Sequence, residues 1–147
     1  RQESGVYSLV LQLKALEPNL FDFKVVDYDT TLGYDLLVTT DSALDLNQAS
    51  MRFVEMKYEL KRTFDHSFKK LAGIICWDCR LSNDEEVTDL TGERRYLKIT
   101  NKDDSLPNSY KKYMLCSYTT GHNIEVFVLK DYLKDKLSLE FRPRGTN

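Results

Sequence analysis

Apolar and charged residues alternate along residues 51–61, whose sequence is MRFVEMKYELK. A period of two residues is typical of a β-strand that has one apolar and one charged face. Glu55 and Lys57 therefore project from the same face, about 6.6 Å apart at ~3.3 Å per residue, close enough to share a divalent ion, a water molecule and a phosphate. The apolar set is Val54, Met56, Tyr58 and Leu60, and the charged set is Glu55, Lys57, Glu59 and Lys61.

A second strand-like run covers residues 33–40, GYDLLVTT, in which Asp35 interrupts apolar and β-branched residues. A carboxylate in such a strand is costly unless it has a partner. If this run pairs antiparallel with residues 51–61, Asp35 lies beside Glu55 and Lys57. The sequence then predicts two carboxylates and one ammonium at one end of a sheet.

The E-x-K spacing leaves two alternatives open. Glu59 and Lys61 repeat it on the same predicted face, and a merely solvated strand face shows the same alternation of charge. We favour Glu55 and Lys57 because the apolar Phe53 precedes them closely, whereas the second pair runs into a polar segment.

The remaining periodicity predicts an α/β chain. Apolar residues recur at helical spacing over residues 3–17 and the pattern stops at Pro18, which indicates an amphipathic helix packed on a sheet. Turn-prone segments separate the later apolar runs. Further strands are predicted over residues 20–28, 33–41, 73–77 and 93–99, a second hairpin over residues 113–118 and 124–129, and a helical turn or two over residues 131–137.

A short helix is expected between the charged strand and residues 73–77. Thr63 or Asp65 could cap it, Phe68 belongs to it, and Gly73 should end it. A strand, a helix and a further strand in this order imply a parallel crossover connection.

Composition limits the possible functions. The chain has 147 residues, 41% of them apolar, and a net charge of −2. It is therefore expected to form one domain over residues 1–147 with no strong field for a polyanion, so nucleic acid would meet only local basic patches. No membrane span or signal peptide is indicated. Because the sequence starts at Arg1, we expect it to be excised from a larger protein.

The sequence contains three cysteines, an odd number that favours an intracellular, reducing compartment over a disulfide framework. The C-W-D-C spacing of Cys76 and Cys79 could form a zinc site with Cys116 and His122. We favour buried, apolar cysteines instead, because the second pair lacks the short loop spacing of zinc ligands.

The order of elements, with G-Y-D-L-L-V followed after about twenty residues by F-V-E-M-K, resembles the PD-(D/E)xK nuclease superfamily, which has the restriction-endonuclease-like fold. The resemblance covers residues 3–79 and implies a mixed central sheet flanked by helices, followed here by an appended β-rich C-terminal segment. It assigns the metal-binding acids to Asp35 and Glu55 and the lysine to Lys57. Many members carry an acid in the first helix, which is matched by Glu3 or, failing that, by Glu17.

Phosphodiester hydrolysis needs the chemistry that such a site offers. Mg²⁺ or Mn²⁺ held by Asp35, Glu55 and the backbone carbonyl of Met56 would offset charge on the phosphoryl group. Lys57 would orient or deprotonate the attacking water and steady the phosphate. The basic side chains expected to contact backbone phosphates are Lys61, Arg62, Lys69 and Lys70.

Two functions follow from these observations. The first is a metal-dependent nuclease that acts on nucleic acid, DNA rather than RNA, with other domains of the parent protein supplying affinity and a homodimer serving two-strand cleavage. The second is an inactive nuclease-like module for nucleic-acid or protein binding, since a fold does not fix a function. For His66 a capping or surface role is favoured over contact with a metal or phosphate.

Overall fold

The computed structural model of the chain describes residues 3–28, 33–39, 51–119 and 121–141. Over these ranges the chain forms two α-helices and one mixed eight-stranded sheet. The helices are α1 (Glu3–Leu16) and α2 (Leu129–Leu137). The strands are β1 (Lys24–Tyr28), β2 (Leu36–Thr39), β3 (Met51–Leu60), β4 (Leu71–Cys79), β5 (Glu86–Thr88), β6 (Arg94–Thr100), β7 (Lys112–Ser117) and β8 (Ile124–Val128).

The sheet has the order β1-β2-β3-β4-β8-β7-β6-β5. Strand β4 pairs in parallel with both β3 and β8, and every other neighbouring pair is antiparallel. The predicted α/β class, the parallel crossover after β3 and the β7–β8 hairpin are therefore confirmed. The C-terminal segment is β-rich as expected, but it is not appended, because β8 lies beside β4 and β5–β8 continue the same sheet.

Both helices pack on one face of this sheet. Their buried residues join one apolar cluster with side chains of β2, β3, β4 and β8. Neither helix contributes to a second apolar cluster, in which the crossover residues Phe64 and Phe68 pack with buried side chains of the sheet, including those of β5, β6 and β7. In the part of the chain that the structure describes, neither helix has both the length and the apolar character needed to cross a membrane.

Several predicted boundaries are corrected. Strand β1 begins at Lys24, later than the predicted start at residue 20. The crossover contains a 3-10 helix, Phe68–Lys70, which is capped by Ser67 and not by Thr63 or Asp65. Residues 29–32, 40–50 and 142–147, which include predicted turns and the end of the strand predicted over residues 33–41, lie outside the described residues.

Gly73 lies in β4, as the strand predicted over residues 73–77 has it, and pairs with Val54 of β3 and Glu125 of β8. It does not end the short helix, because β4 already begins at Leu71. The chain is already extended at Leu71, because Leu71 pairs with Phe53 and is fully buried. Tertiary pairing at this point overrides the local preference of glycine for ending a helix.

The alternative that the charged face of β3 is merely solvated does not hold at Glu55. Phe53, Val54, Glu55 and Met56 are all buried, with Glu55 only 2% exposed. Strand β3 lies inside the sheet, α1 covers one of its faces and the crossover covers the other. Of the alternating charges, Glu55 is therefore buried, whereas Lys57 and Glu59 are partly exposed and Lys61 is exposed.

Phe68 anchors the crossover on this face. Its side chain is fully buried and stacks on Phe64 at 5.5 Å, while its amide donates to Asp89 Oδ2 at 2.9 Å. The same carboxylate accepts bonds from the amides of Thr91 and Glu93. Phe68 therefore helps to fix the position of Asp65 and His66, which lie three and two residues before it.

We expect Phe68→Ala to lower the free energy of unfolding by about 3–5 kcal/mol, because a buried ring is replaced by a cavity. Urea denaturation followed by circular dichroism measures this loss. Leu106→Ala, at a position that is 56% exposed, is the control and should change stability by less than about 0.5 kcal/mol. Equal losses in the two variants would show that Phe68 is not an anchor.

Candidate functional site

Asp35 and Glu55 lie side by side at one end of the β2–β3 pair. The predicted antiparallel pairing is confirmed, with Leu36 opposite Val54, so that the next residues along are Asp35 and Glu55. Asp35 Oδ2 accepts a hydrogen bond of 2.6 Å from the amide of Met56. The sheet register thus brings the first predicted acid to the second.

Glu55 is the buried centre of the site. Its Oε1 lies 2.9 Å from Lys57 Nζ and 3.1 Å from His66 Nε2. Its Oε2 is buried and has no hydrogen-bond partner among the described residues. A buried carboxylate oxygen without a partner is costly, so this atom is suited to receive a cation or a proton.

Lys57 lies between two carboxylates. Its ammonium contacts Glu55 as described and Asp65 Oδ2 at 3.1 Å. The side chain of Lys57 is 18% exposed, whereas that of Asp65 is 67% exposed. The predicted pair of Glu55 and Lys57 is thus in direct contact, and sequence reasoning assigned no role in the site to Asp65.

Burial and neighbouring charge shift the pKa values of these groups. Burial, together with the charge of Asp35, raises the pKa of Glu55 although Lys57 and His66 act against it. Burial acts to lower the pKa of Lys57, but bonds to Glu55 and Asp65 outweigh it and the pKa is raised. The contacts with Lys57 likewise outweigh burial at Asp65, whose pKa is lowered. Lys57 is therefore an ammonium at neutral pH.

His66 belongs to the site, contrary to the capping or surface role favoured from sequence. Its ring packs at 4.8 Å from Tyr34, which in turn stacks on Phe53 at 4.3 Å. Gly33, at φ +82°, turns the chain into β2, and a Cβ there would lie 3.7 Å from the His66 ring. The only sequence signal for Asp65 and His66 was their position directly after the charged strand, in a crossover that folds back over it.

One group of residues in the described ranges has the spacing of metal ligands. It consists of Glu55, Asp65 and His66, whose ligand atoms all lie within 4.8 Å of one another. Asp35 is not a member of this group. The predicted role of Asp35 as a metal ligand therefore remains a prediction that rests on its position beside Glu55.

The zinc site considered for Cys76, Cys79, Cys116 and His122 is not formed, because these four described residues do not make a metal-ligating group. All three cysteines are free thiols. Burial raises the pKa of Cys76 well above its ordinary value and that of Cys79 to about 11. His122 Nε2 instead lies 3.1 Å from the carbonyl oxygen of Leu71.

Two clefts open beside the site, and Glu3 lines both. The larger, of about 570 Å³, is lined by Lys57, Lys61 and Asp65 among others. The smaller, of about 300 Å³, is lined by Asp35 and Met56. Glu3 at the start of α1 is thus placed near the predicted acids, whereas Glu17, beyond the other end of the helix, lies near Tyr132.

The predicted phosphate contacts are divided between two parts of the crossover. Lys61 is exposed at the larger cleft, and Arg62 donates to Glu85 at 2.9 Å. Lys69 and Lys70 are exposed on the 3-10 helix that follows the site. Of the four, Lys61 is the one that lines the cleft beside Lys57.

No family model, curated protein or solved structure matches the chain.

The raised pKa of Glu55 makes stability depend on pH. The folded chain holds this proton more tightly than the unfolded chain, so the contribution of Glu55 to the free energy of unfolding should rise as pH falls from neutral through the folded pKa towards the ordinary value of 4.5. We expect this rise to be smaller in Glu55→Gln. Urea unfolding at a series of pH values measures it, with Glu86→Gln as the control. Identical pH profiles for Glu55→Gln and the wild type would contradict the shift.

Proposed function

We propose that this chain hydrolyses phosphodiester bonds of nucleic acid, DNA in preference to RNA, with a divalent metal ion. The observation that carries the proposal is the buried Glu55 carboxylate, which has one oxygen on Lys57 and the other without a partner among the described residues, beside Asp35. The proposed catalytic residues are Asp35, Glu55 and Lys57.

The donors around Glu55 suit a hard divalent ion. Asp35 and Glu55 supply carboxylate oxygens, the Met56 carbonyl supplies a backbone oxygen, and Glu3 lies at both clefts. Oxygen donors of this kind are those that Mg²⁺ and Mn²⁺ prefer. When bound, such an ion supplies positive charge to a phosphoryl group and promotes ionisation of water.

Lys57 is suited to hold the substrate. Its ammonium has three N–H donors and uses two contacts on Glu55 and Asp65, and its side chain lines the larger cleft. Because Asp65 is exposed, Lys57 can give up its contact with Asp65 and bind a phosphate oxygen at little cost in free energy. Because the pKa of Lys57 is raised, we assign it the orientation of water and phosphate, and not the removal of a proton.

The restriction-endonuclease-like fold is part of the proposal. It is supported by α1 packed on the sheet, the antiparallel β1-β2-β3 unit and the parallel step from β3 to β4. The placing of both described helices on one face departs from the flanked sheet that the family resemblance implied.

We also propose that other domains of a parent protein in a reducing compartment deliver the substrate, and that two-strand cleavage uses a homodimer.

One observation favours the second candidate function, an inactive module for nucleic-acid or protein binding. Glu55 is already paired with Lys57 and His66, and Asp65 is paired with Lys57. Such pairs can serve as internal ion pairs that stabilise the crossover. The cleavage experiment below separates the two candidates.

We expect Asp35→Ala, Glu55→Gln and Lys57→Met each to reduce cleavage of labelled DNA by 100-fold or more in the presence of Mg²⁺ or Mn²⁺, because each removes a group that holds the metal or the phosphate. Gel assays with single- and double-stranded DNA and RNA measure the rate. Lys98→Met, an exposed lysine on β6, is the matched control and should cleave normally. A folded wild type that does not cut any of these substrates would favour the binding module.

We expect Lys61→Ala to weaken nucleic-acid binding without changing metal affinity. If the ammonium contacts a phosphate, a plot of the logarithm of the association constant against the logarithm of the salt concentration should become less steep by about 0.9 for duplex DNA. Fluorescence anisotropy from low to physiological salt measures the slope, and Lys102→Ala, outside the crossover, is the control. Smaller effects of the same kind are expected at Arg62, Lys69 and Lys70, and an unchanged slope at all four would exclude this surface.

A further inference from the structure

We propose that Glu55, Asp65 and His66 form a binding site for a first-row transition-metal ion such as Zn²⁺ or Mn²⁺, and that the Lys57 ammonium competes with that ion. This site differs from the oxygen-donor site assigned to Asp35 and Glu55, with which it shares only Glu55. It does not require that the chain cleave nucleic acid.

The distances fit a shared ion. Glu55 Oε1 and His66 Nε2 are 3.1 Å apart. Two donors that bind one ion at ~2.1 Å stand about 3.0 Å apart at an octahedral angle and about 3.4 Å apart at the tetrahedral angle of zinc, so the observed distance lies within this range. The ligand atoms of Glu55, Asp65 and His66 lie within 4.8 Å of one another, so that a small movement of the exposed Asp65 completes the group.

Glu55 itself points to a cation. Its side chain is 3% exposed, and Oε2 is buried without a hydrogen-bond partner in the described residues. The neighbouring Oε1 is the atom that meets His66 and Lys57. An ion at Oε1 would therefore bring charge next to the oxygen that lacks a partner, or engage both oxygens of the carboxylate.

His66 is held in place for this role. Tyr34 packs on its ring and is itself stacked on the buried Phe53. Two residues further on, the buried Phe68 fixes the crossover. A ligand that is already oriented loses little conformational entropy when it binds an ion.

The imidazole decides the class of ion. Nitrogen donors suit Zn²⁺, Fe²⁺ and similar ions, whereas Mg²⁺ takes oxygen donors almost exclusively. A set of one imidazole and two carboxylates should therefore prefer Zn²⁺ and Mn²⁺ to Mg²⁺, with Zn²⁺ the tighter of the two.

The Lys57 ammonium lies between the two carboxylates that would bind the metal ion. Its Nζ lies 2.9 Å from Glu55 Oε1 and 3.1 Å from Asp65 Oδ2. A divalent ion that bound these oxygens would lie close to the ammonium, which would have to move away because like charges repel. Removal of the ammonium should therefore strengthen metal binding, although it should abolish the proposed cleavage.

Calorimetric titration of the full chain with Zn²⁺ and Mg²⁺ tests the proposal. We expect Zn²⁺ affinity to fall tenfold or more in His66→Gln and Asp65→Asn, to stay within about threefold in Asp35→Asn, and to rise in Lys57→Met. His122→Gln is the matched control for loss of an imidazole and should bind Zn²⁺ like the wild type. Unfolding midpoints establish that each variant is folded.

A second readout locates the ion. The chain has two histidines, so on Zn²⁺ addition the ¹⁵N resonances of the His66 ring should shift in His122→Gln, where no other imidazole is present. Zn²⁺ binding that survives His66→Gln, or that is lost in Asp35→Asn, would overturn the proposal. Weaker binding in Lys57→Met would overturn the competition. Because no outcome depends on cleavage, failure of the nuclease proposal leaves this test intact.

Discussion

A carboxylate in the interior of a sheet is the constraint on which this site depends. Glu55 lies in β3 with its side chain almost fully buried, and leaving water is expensive for a charged group. Lys57 on the same strand face and His66 from the crossover offset part of that cost. The buried charge of β3 therefore depends on a side chain of the same strand and on one from the crossover.

The crossover between β3 and β4 serves both stability and chemistry. A parallel step must pass over one face of the sheet, and here the passing segment inserts Phe64 and Phe68 into the core. Asp65 and His66 lie between these two apolar residues, so core packing decides where they stand. Because stability and site geometry share the same residues, a loss of packing should displace the charged groups as well.

The charged groups of the site are already engaged with one another, apart from one carboxylate oxygen. Lys57 satisfies two carboxylates in the folded chain, and Asp35 is tied to the backbone of Met56. One oxygen of Glu55 stays without a partner among the described residues. An ion bound there as proposed would compete with the Lys57 ammonium for Glu55 and Asp65.

The sequence by itself determined the first helix and the strand class of β2, β3, β4 and the last hairpin, because hydrophobic periodicity is a local property. It placed Asp35 beside Glu55 only on the assumption that their two strands pair antiparallel, and the tertiary structure supplies that pairing. The sequence did not determine that β3 is covered on both faces, that β4 begins at Leu71 or that β5–β8 continue the sheet. Those features follow from pairing between distant segments. The roles of Asp65 and His66 were hidden for the same reason: only tertiary packing of Phe64 and Phe68 folds the crossover back onto Glu55.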